Sequence, residues 1–280
     1  MLLKPKSITR IGIVQVILAS AFVIWLIFFP STATRFAWPI TPVESAMFIG
    51  AGFIARAYLG VFLWRQTYWH GLRWQVLGNY AFLAVLLVAT FWHIGEMNWD
   101  SNIIIAHIWV LAYIVEPLVL PLYEPRSAEA RAPLPAELKQ GPIFVGLKRV
   151  LLVGFVSGVA LGLLLFINPE FMDTRWPWPL DPFDARIMAA FPILVGLWAL
   201  YGYQATDWAE VKPGVLGSLL FTGALFFVWL YNLPNYDPDR QNIVEFGIIT
   251  AGFTLLLAFY FYRQQRARHD LPRSAEAPGG

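Results

Sequence analysis

Cysteine is absent from this 280-residue chain, and charged residues are scarce. Without cysteine, the sequence cannot form disulfide bonds, thiolate metal sites or a cysteine nucleophile. Charged residues make up 14% of the chain and hydrophobic residues 58%, whereas about a quarter of the residues in soluble domains are charged. The composition therefore predicts a protein whose solvent is a lipid bilayer.

A strong excess of one charge and the motifs of common enzymes are also lacking. The net charge is only +2 and the basic residues are not gathered in one stripe, which argues against a nucleic-acid partner. The sequence contains no Gly-x-Ser-x-Gly elbow, no His-Glu-x-x-His motif and no Walker loop. We therefore expect a protein that is not an enzyme and that needs no cofactor or bound metal.

Eight apolar stretches are long enough to cross a membrane, since a transmembrane helix needs about 20 predominantly apolar residues. They are residues 11–29, 43–64, 75–94, 103–123, 149–167, 184–204, 213–233 and 242–262. The first stretch follows basic residues but is longer than the apolar region of a signal peptide, so we interpret it as a span. The sequence predicts an all-α, multi-pass membrane protein with eight transmembrane helices.

One short segment occurs twice. Thr-Arg-Phe-Ala-Trp-Pro-Ile-Thr-Pro begins at residue 34 and a similar Thr-Arg-Trp-Pro-Trp-Pro-Leu-Asp-Pro begins at residue 174, an offset of 140 in a chain of 280. This spacing predicts a tandem duplication of a four-helix unit. Because each unit has an even number of spans, the repeats are parallel and related by a pseudo-two-fold axis along the membrane normal.

The duplication predicts the organisation of the chain. Residues 1–123 form the first repeat, 124–142 a cytoplasmic linker, 143–262 the second repeat and 263–280 a flexible cytoplasmic tail. In the loops and at the ends of the spans, fifteen Lys and Arg residues fall on the side of the N-terminus and four on the other side. The positive-inside rule then places both termini in the cytoplasm, and the protein in the cell (inner) membrane.

Each repeated segment is predicted to be a Trp/Pro corner between two helices. The motif residues are Arg35, Trp38, Pro39 and Pro42 in the first copy and Arg175, Trp178, Pro179 and Pro182 in the second. Proline ends one helix and is tolerated in the first turn of the next, and tryptophan is expected to anchor the corner at the membrane interface. Arg35 and Arg175 are expected either to pair with lipid phosphate or a neighbouring acid, or to bind an anion symmetrically.

The first half alone carries an arginine and a glutamate inside its spans. Arg56 and Glu116 each lie thirteen residues from the outer end of their spans, so both lie about 20 Å below the outer boundary and can pair. The offset of 140 places Gly196 and Leu256 at the corresponding positions of the second half. Both partners are therefore absent together, as a paired interaction requires.

Three polar residues of the first half are expected within one or two helical turns of this pair, namely Gln15, Asn79 and Tyr80. Together with Arg56 and Glu116 they predict a polar pocket that opens toward the cytoplasm. Charged residues within a membrane usually face a cavity, the bundle interior or one another. The five residues therefore form either a substrate or ion pathway, or a buried ion pair that fixes helix register and binds nothing.

A second polar cluster lies near the outer ends of the third and fourth spans. His93 and Glu96 are three residues apart and share a helix face, and His107 lies early in the next span. Two histidines from neighbouring helices can ligate haem or a metal. Interfacial histidines with ordinary hydrogen bonds are the alternative, since the spacing matches no established motif.

Three hypotheses for the function follow from these features. The first is a transporter or permease-like protein for a small solute or protons, which uses the Arg56–Glu116 pair. The second is a non-enzymatic accessory or scaffold subunit that docks a partner or lipid through the Trp/Pro corners. The third is haem or pigment binding through His93 and His107. The bilayer is the expected partner, and a homodimer or larger membrane complex is left open.

Overall fold

The computed structural model describes residues 6–69, 72–100, 104–123, 134–237 and 242–269. Their helices are α1 (Lys6–Phe28), α2 (Val43–Arg65), α3 (Arg73–Trp92), α4 (Ile105–Tyr123), α5 (Val145–Ile167), the short α6 (Pro169–Asp173), α7 (Pro182–Gln204), α8 (Trp208–Asn232) and α9 (Ile243–His269). Helices suit a bilayer because each satisfies its own backbone hydrogen bonds.

Seven helices in the described part of the chain are long and apolar enough to cross a membrane, namely α1, α2, α3, α5, α7, α8 and α9. The remaining long helix, α4, occupies the place of the fourth predicted span, and its apolar part, Ile105–Val119, is shorter. The protein is therefore a helical, multi-pass membrane protein.

The centre of the bundle is formed by α2 and α7, most of whose residues are buried, whereas less than a third of the apolar segments of α1, α5 and α9 is buried. Glycine allows each central helix to approach its outer neighbour closely. A Cβ atom on Gly12 of α1 would lie 2.7 Å from the Gly60 carbonyl oxygen of α2, and a Cβ atom on Gly158 of α5 would lie 2.8 Å from the Pro192 carbonyl oxygen of α7. Side chains at these positions would force the helix pairs apart.

Contacts between the two halves are reciprocal. Helix α2 packs on α8, and α3 packs on α7. The Trp38 indole N–H donates to Asp184 Oδ1 over 2.7 Å, and the Trp178 indole N–H donates to Ser45 Oγ over 3.0 Å. Each corner therefore binds the first turn of the central helix in the opposite half.

The prediction that the corner tryptophans anchor at the membrane interface is wrong. Trp38 is 1% exposed and Trp178 is 2% exposed, so both lie inside the protein. A buried indole needs a partner for its N–H group, and the partners Asp184 and Ser45 are far away in sequence. The corners hold the two halves together and do not present tryptophan to lipid or to a partner protein.

The prolines of the corners act as predicted, because α2 begins directly after Pro42 and α7 begins at Pro182. Pro39 and Pro179 lie exposed on the corners. The side chain of Asp181 caps α7 by accepting hydrogen bonds from the first-turn N–H groups. Arg35 and Arg175 are exposed, and the second packs its guanidinium 5.5 Å from the centre of the Phe171 ring.

The C-terminal helix extends past residue 262, where the sequence places the start of a flexible tail. Helix α9 continues to His269, and buried Gln264 donates to the Pro142 carbonyl over 2.7 Å and accepts from the Phe144 N–H over 3.1 Å. These bonds tie the end of α9 to the start of α5. Residues 270–280 of the predicted tail and 124–133 of the predicted linker lie outside the described residues.

Candidate functional site

The centre of the candidate site is an ion pair between α2 and α4. Arg56 Nη2 lies 2.5 Å from Glu116 Oε1 and 2.6 Å from Oε2. Arg56 is 3% exposed, and the Glu116 side chain is 15% exposed. The structure thus contains the pair that the common depth of the two residues predicts.

Two amide side chains complete the surroundings of the carboxylate. Gln15 of α1 donates through Nε2 to Glu116 Oε1 over 2.6 Å, and Asn79 of α3 donates through Nδ2 to the same oxygen over 3.1 Å. Four helices therefore converge on Glu116. Tyr80 follows Asn79 on α3 and packs, partly buried, against the apolar core.

Sequence reasoning missed two aromatic neighbours of this cluster. The Arg56 guanidinium carbon lies 5.2 Å from the centre of the Phe82 ring, an arrangement that favours a cation. Tyr113 lies one helical turn before Glu116 on α4 and lines the same cavity. Helical spacing of three residues could have identified Tyr113, whereas the approach of Phe82 depends on how α3 packs on α2.

Several polar atoms around Glu116 have no hydrogen-bond partner in the described part of the protein. They are Gln15 Oε1, Arg56 Nη1 and Asn79 Oδ1, all of them buried. An unsatisfied buried polar atom costs about 1–3 kcal/mol. One donor and two acceptors thus remain available beside the ion pair, which suits a small polar molecule or water.

A cavity of about 500 Å³ reaches this cluster. Gln15, Arg56 and Glu116 lie on its wall, and Ser7 and Arg10 line the end where α1 begins. The volume is in the range of small-molecule sites, which are mostly apolar with a few polar groups. The structure therefore places the ion pair on the wall of a cavity and not in a fully packed interior.

Part of the cavity wall faces outward between α1 and α4. Val14 and Leu111 line the cavity and are 54% and 62% exposed. In a bilayer these side chains contact lipid, so the cavity is a lateral groove as well as an opening at one end of the bundle. Both water and lipid thus have a route to its polar wall.

An aromatic cluster closes the end of the cavity that is nearer the corners. Phe22 and Phe53 line this end with ring centres 5.1 Å apart, and Trp109 lies 6.0 Å from the first ring and 6.1 Å from the second. Trp38 of the first corner packs 4.8 Å from Trp109. The cavity is therefore open at the N-terminal end of α1 and blocked by buried rings at the other.

His93 is bonded to Glu96 and to Arg186, and among the described residues it does not share a ligand with His107. His93 Nδ1 lies 2.6 Å from Glu96 Oε1, and His93 Nε2 lies 2.8 Å from Arg186 Nη1 of α7. Because arginine can only donate, Nε2 accepts a hydrogen bond from Arg186, and Nδ1 carries the hydrogen and donates to Glu96. Both ring nitrogens are engaged, so His93 has no free nitrogen for a haem or a metal.

His107 takes part in a separate contact, because it is exposed and lies edge-on to the Trp99 ring at 5.2 Å. No group of three or more His, Asp or Glu side chains that could hold a metal occurs within the described ranges. The His93–Arg186 bond connects α3 to α7 and contributes to the contact between the halves. Sequence reasoning missed Arg186 because it is 93 positions away from its partner.

The second half lacks this site. Gly196, at the position that corresponds to Arg56, packs against the backbone of α5, where an added Cβ atom would lie 3.1 Å from the Val159 nitrogen. Leu256, at the position that corresponds to Glu116, is 47% exposed. The two halves therefore differ where the first half carries its charges.

Comparisons of the chain with protein-family models, with curated proteins and with solved structures find no match. Proposals about its function therefore rest on the geometry of the chain itself.

Proposed function

We propose that the protein is a transporter or permease-like protein for a small solute or protons, whose pathway passes the Arg56–Glu116 pair. The observation that carries this proposal is the cavity of about 500 Å³ that reaches the pair. A pair that only fixed helix register would be expected in a packed interior. Here the pair borders open space and has unsatisfied polar atoms beside it.

The polar wall can bind a solute without a net change in charge. Arg56 balances the charge of Glu116, while Gln15, which lines the cavity, supplies a donor that a solute can replace. The unsatisfied Arg56 Nη1 and Gln15 Oε1 offer one donor and one acceptor in addition. A small molecule or a water chain with both kinds of group fits this arrangement, and a water chain would carry protons.

Of the two ends of the cavity along the bundle, only one is open, as in one of the two alternating states of a transporter. Phe22, Phe53 and Trp109 form the closed end. In this proposal, the rings separate during the transport cycle and the end near Ser7 and Arg10 closes.

The proposal includes a tandem duplication of a four-helix unit, with eight spans, parallel repeats and both termini in the cytoplasm. Reciprocal contacts between the halves support the duplication, since Trp38 binds α7 and Trp178 binds α2. The pattern of exposed and buried residues is also the same along residues 34–40 and 174–180. In this arrangement α4 is the fourth span and the cavity opens toward the cytoplasm.

Flux into liposomes tests the proposal. Purified protein is reconstituted, and two probes are used: protons, followed with an enclosed pH dye under an imposed gradient, and a panel of small neutral solutes, followed by light scattering after an osmotic step. We expect faster flux than in protein-free liposomes in one of the two assays. Glu116→Gln should reduce this flux at least tenfold, because one charge-assisted hydrogen-bond set is lost.

The matched control is Glu170→Gln, which changes an exposed glutamate on α6 and should leave flux unchanged. Rates equal to those of protein-free liposomes in both assays would contradict the proposal. Equal rates for the wild type and Glu116→Gln would contradict the role of the ion pair. The accessory-subunit hypothesis receives no specific support, because the corner tryptophans through which docking was expected are buried.

A further inference from the structure

A second cavity, of about 290 Å³, lies in the other half of the protein, between α5, α7, α8 and α9. Most of its wall is apolar. On the α5 side the wall includes Gly154 and Gly158, which have no side chains to fill the cavity. The two threonine hydroxyl groups on the wall donate to carbonyl groups of their own helices, Thr222 to Leu219 and Thr250 to Phe246. The interior of the cavity thus suits an apolar ligand.

Charged residues line this cavity at one end only. Arg175 follows α6 and Glu245 lies in the first turn of α9, and both are exposed. Their neighbours Trp176 and Phe246 pack with ring centres 5.6 Å apart, so the two charges flank the same opening. Among the described residues, Arg175 and Glu245 do not form an ion pair with each other.

The dimensions of the cavity match those of a lipid chain. Glu245 and Leu257 line its two ends on α9, and twelve residues of helix span about 18 Å. This length is slightly more than one leaflet of a hydrocarbon core that is about 30 Å thick. Less than a quarter of the apolar segments of the flanking helices α5 and α9 is buried, so lipid chains surround the groove and run parallel to it.

We propose that this groove binds one phospholipid whose headgroup carries both a phosphate and a primary ammonium group. An acyl chain lies along the apolar wall past Gly154. The Arg175 guanidinium binds the phosphate, which suits its forked donors, and the Glu245 carboxylate accepts hydrogen bonds from the ammonium group. Opposite charges at a single mouth of an apolar groove are complementary to this headgroup.

The proposal differs from the transport pathway in its place and in its chemistry. The first cavity has a charged pair in its wall at the depth of the membrane, whereas charges occur here only at the mouth. Lipid binding in the second half can therefore be present whether or not the first half transports a solute.

Native mass spectrometry of the purified protein in mild detergent tests this site. The protein is incubated with equal amounts of phosphatidylethanolamine, which has the ammonium group, and phosphatidylglycerol, which lacks it. We expect the protein to retain one lipid and to prefer phosphatidylethanolamine about fivefold. This preference corresponds to the energy of one exposed charge pair. Arg175→Gln should lower the retention of both lipids about fivefold, and Glu245→Gln should abolish the preference.

The first half provides a matched control, because Arg35 occupies the corresponding position of the other corner and is also exposed. Arg35→Gln should leave lipid retention and preference unchanged. A second variant, Gly154→Leu, fills the groove where an added Cβ atom has ordinary contacts of 3.7 Å, and should abolish retention. Equal retention of the two lipids by the wild type, or equal losses in Arg35→Gln and Arg175→Gln, would overturn the proposal.

Discussion

Replacing Arg56 and Glu116 with leucine, singly and together, measures how strongly the two residues depend on each other. Arg56→Leu leaves the Glu116 carboxylate with only the amide donors of Gln15 and Asn79. Removing one partner of a buried ion pair costs about 3–5 kcal/mol. The Glu116 side chain is 15% exposed, so water can reach it. We therefore expect this variant to lower the free energy of unfolding by about 3 kcal/mol.

Glu116→Leu leaves Arg56 more isolated, because the arginine is 3% exposed. We therefore expect Glu116→Leu to lower the free energy of unfolding by more, about 4 kcal/mol. The double variant removes both charges and adds apolar side chains. Its free energy of unfolding should therefore lie within about 1 kcal/mol of that of the wild type. The coupling between the two positions is then several kcal/mol, well above the additivity error of about 0.5 kcal/mol.

The free energy of unfolding in mixed micelles, measured over a titration with sodium dodecyl sulfate, gives these values. Arg35→Leu is the control and should change stability by less than about 0.5 kcal/mol, since it is an exposed site. Additive costs in the double variant would refute the pairing argument. A double variant that regains both stability and full flux would show that the pair has a structural role only.

Three further predictions follow from the packing. Phe53→Ala removes a 2% exposed ring from the closed end of the cavity and should both destabilise the protein by about 3–5 kcal/mol and raise the leak of small ions, as measured in liposomes. Trp38→Phe deletes the donor to buried Asp184 and should lower the free energy of unfolding by about 1–3 kcal/mol. The control Trp25→Phe deletes a solvent-exposed hydrogen bond to Thr32 and should lower the free energy of unfolding by less than about 1 kcal/mol in the same assay. Burial, with a smaller effect of Glu44, raises the pKa of Tyr236 well above its ordinary value of 10.0. The neutral phenol then stabilises the fold fully below pH 10 and loses this contribution at higher pH. Unfolding measured from pH 9 to 11.5 should therefore show an alkaline loss of stability that is smaller in Tyr236→Phe.

Helix geometry alone predicts the ion pair, because rise per residue fixes the depth of a side chain in the membrane. Arg56 and Glu116 could therefore be paired by counting from the ends of their spans. The restart of α2 after Pro42 and of α7 at Pro182 also follows from local chemistry. Such predictions succeed because each depends only on where a residue stands within its own helix or turn.

Contacts between the halves could not be predicted in this way. In a membrane protein, lipid-facing and buried positions are both apolar, so hydropathy does not show which face of a helix packs. Trp38 lies inside the protein because it bonds to Asp184, and this partner, 146 positions away, cannot be identified from the residues around Trp38. The order at the end of α9 is hidden from the sequence for the same reason, since Gln264 is fixed by the distant backbone of Pro142 and Phe144.

The proposed pathway requires that water enters the cavity of the first half, and the cysteine-free chain allows this to be measured without background labelling. Single cysteines are introduced at Ala112, which lines the cavity on α4, and at Leu118, which is 66% exposed on the same helix and does not line it. We expect a membrane-impermeant thiol reagent to label Ala112→Cys from the side that carries the N-terminus and to leave Leu118→Cys unlabelled. If only a membrane-permeant reagent labels Ala112→Cys, the groove is filled by lipid and the pathway proposal is wrong.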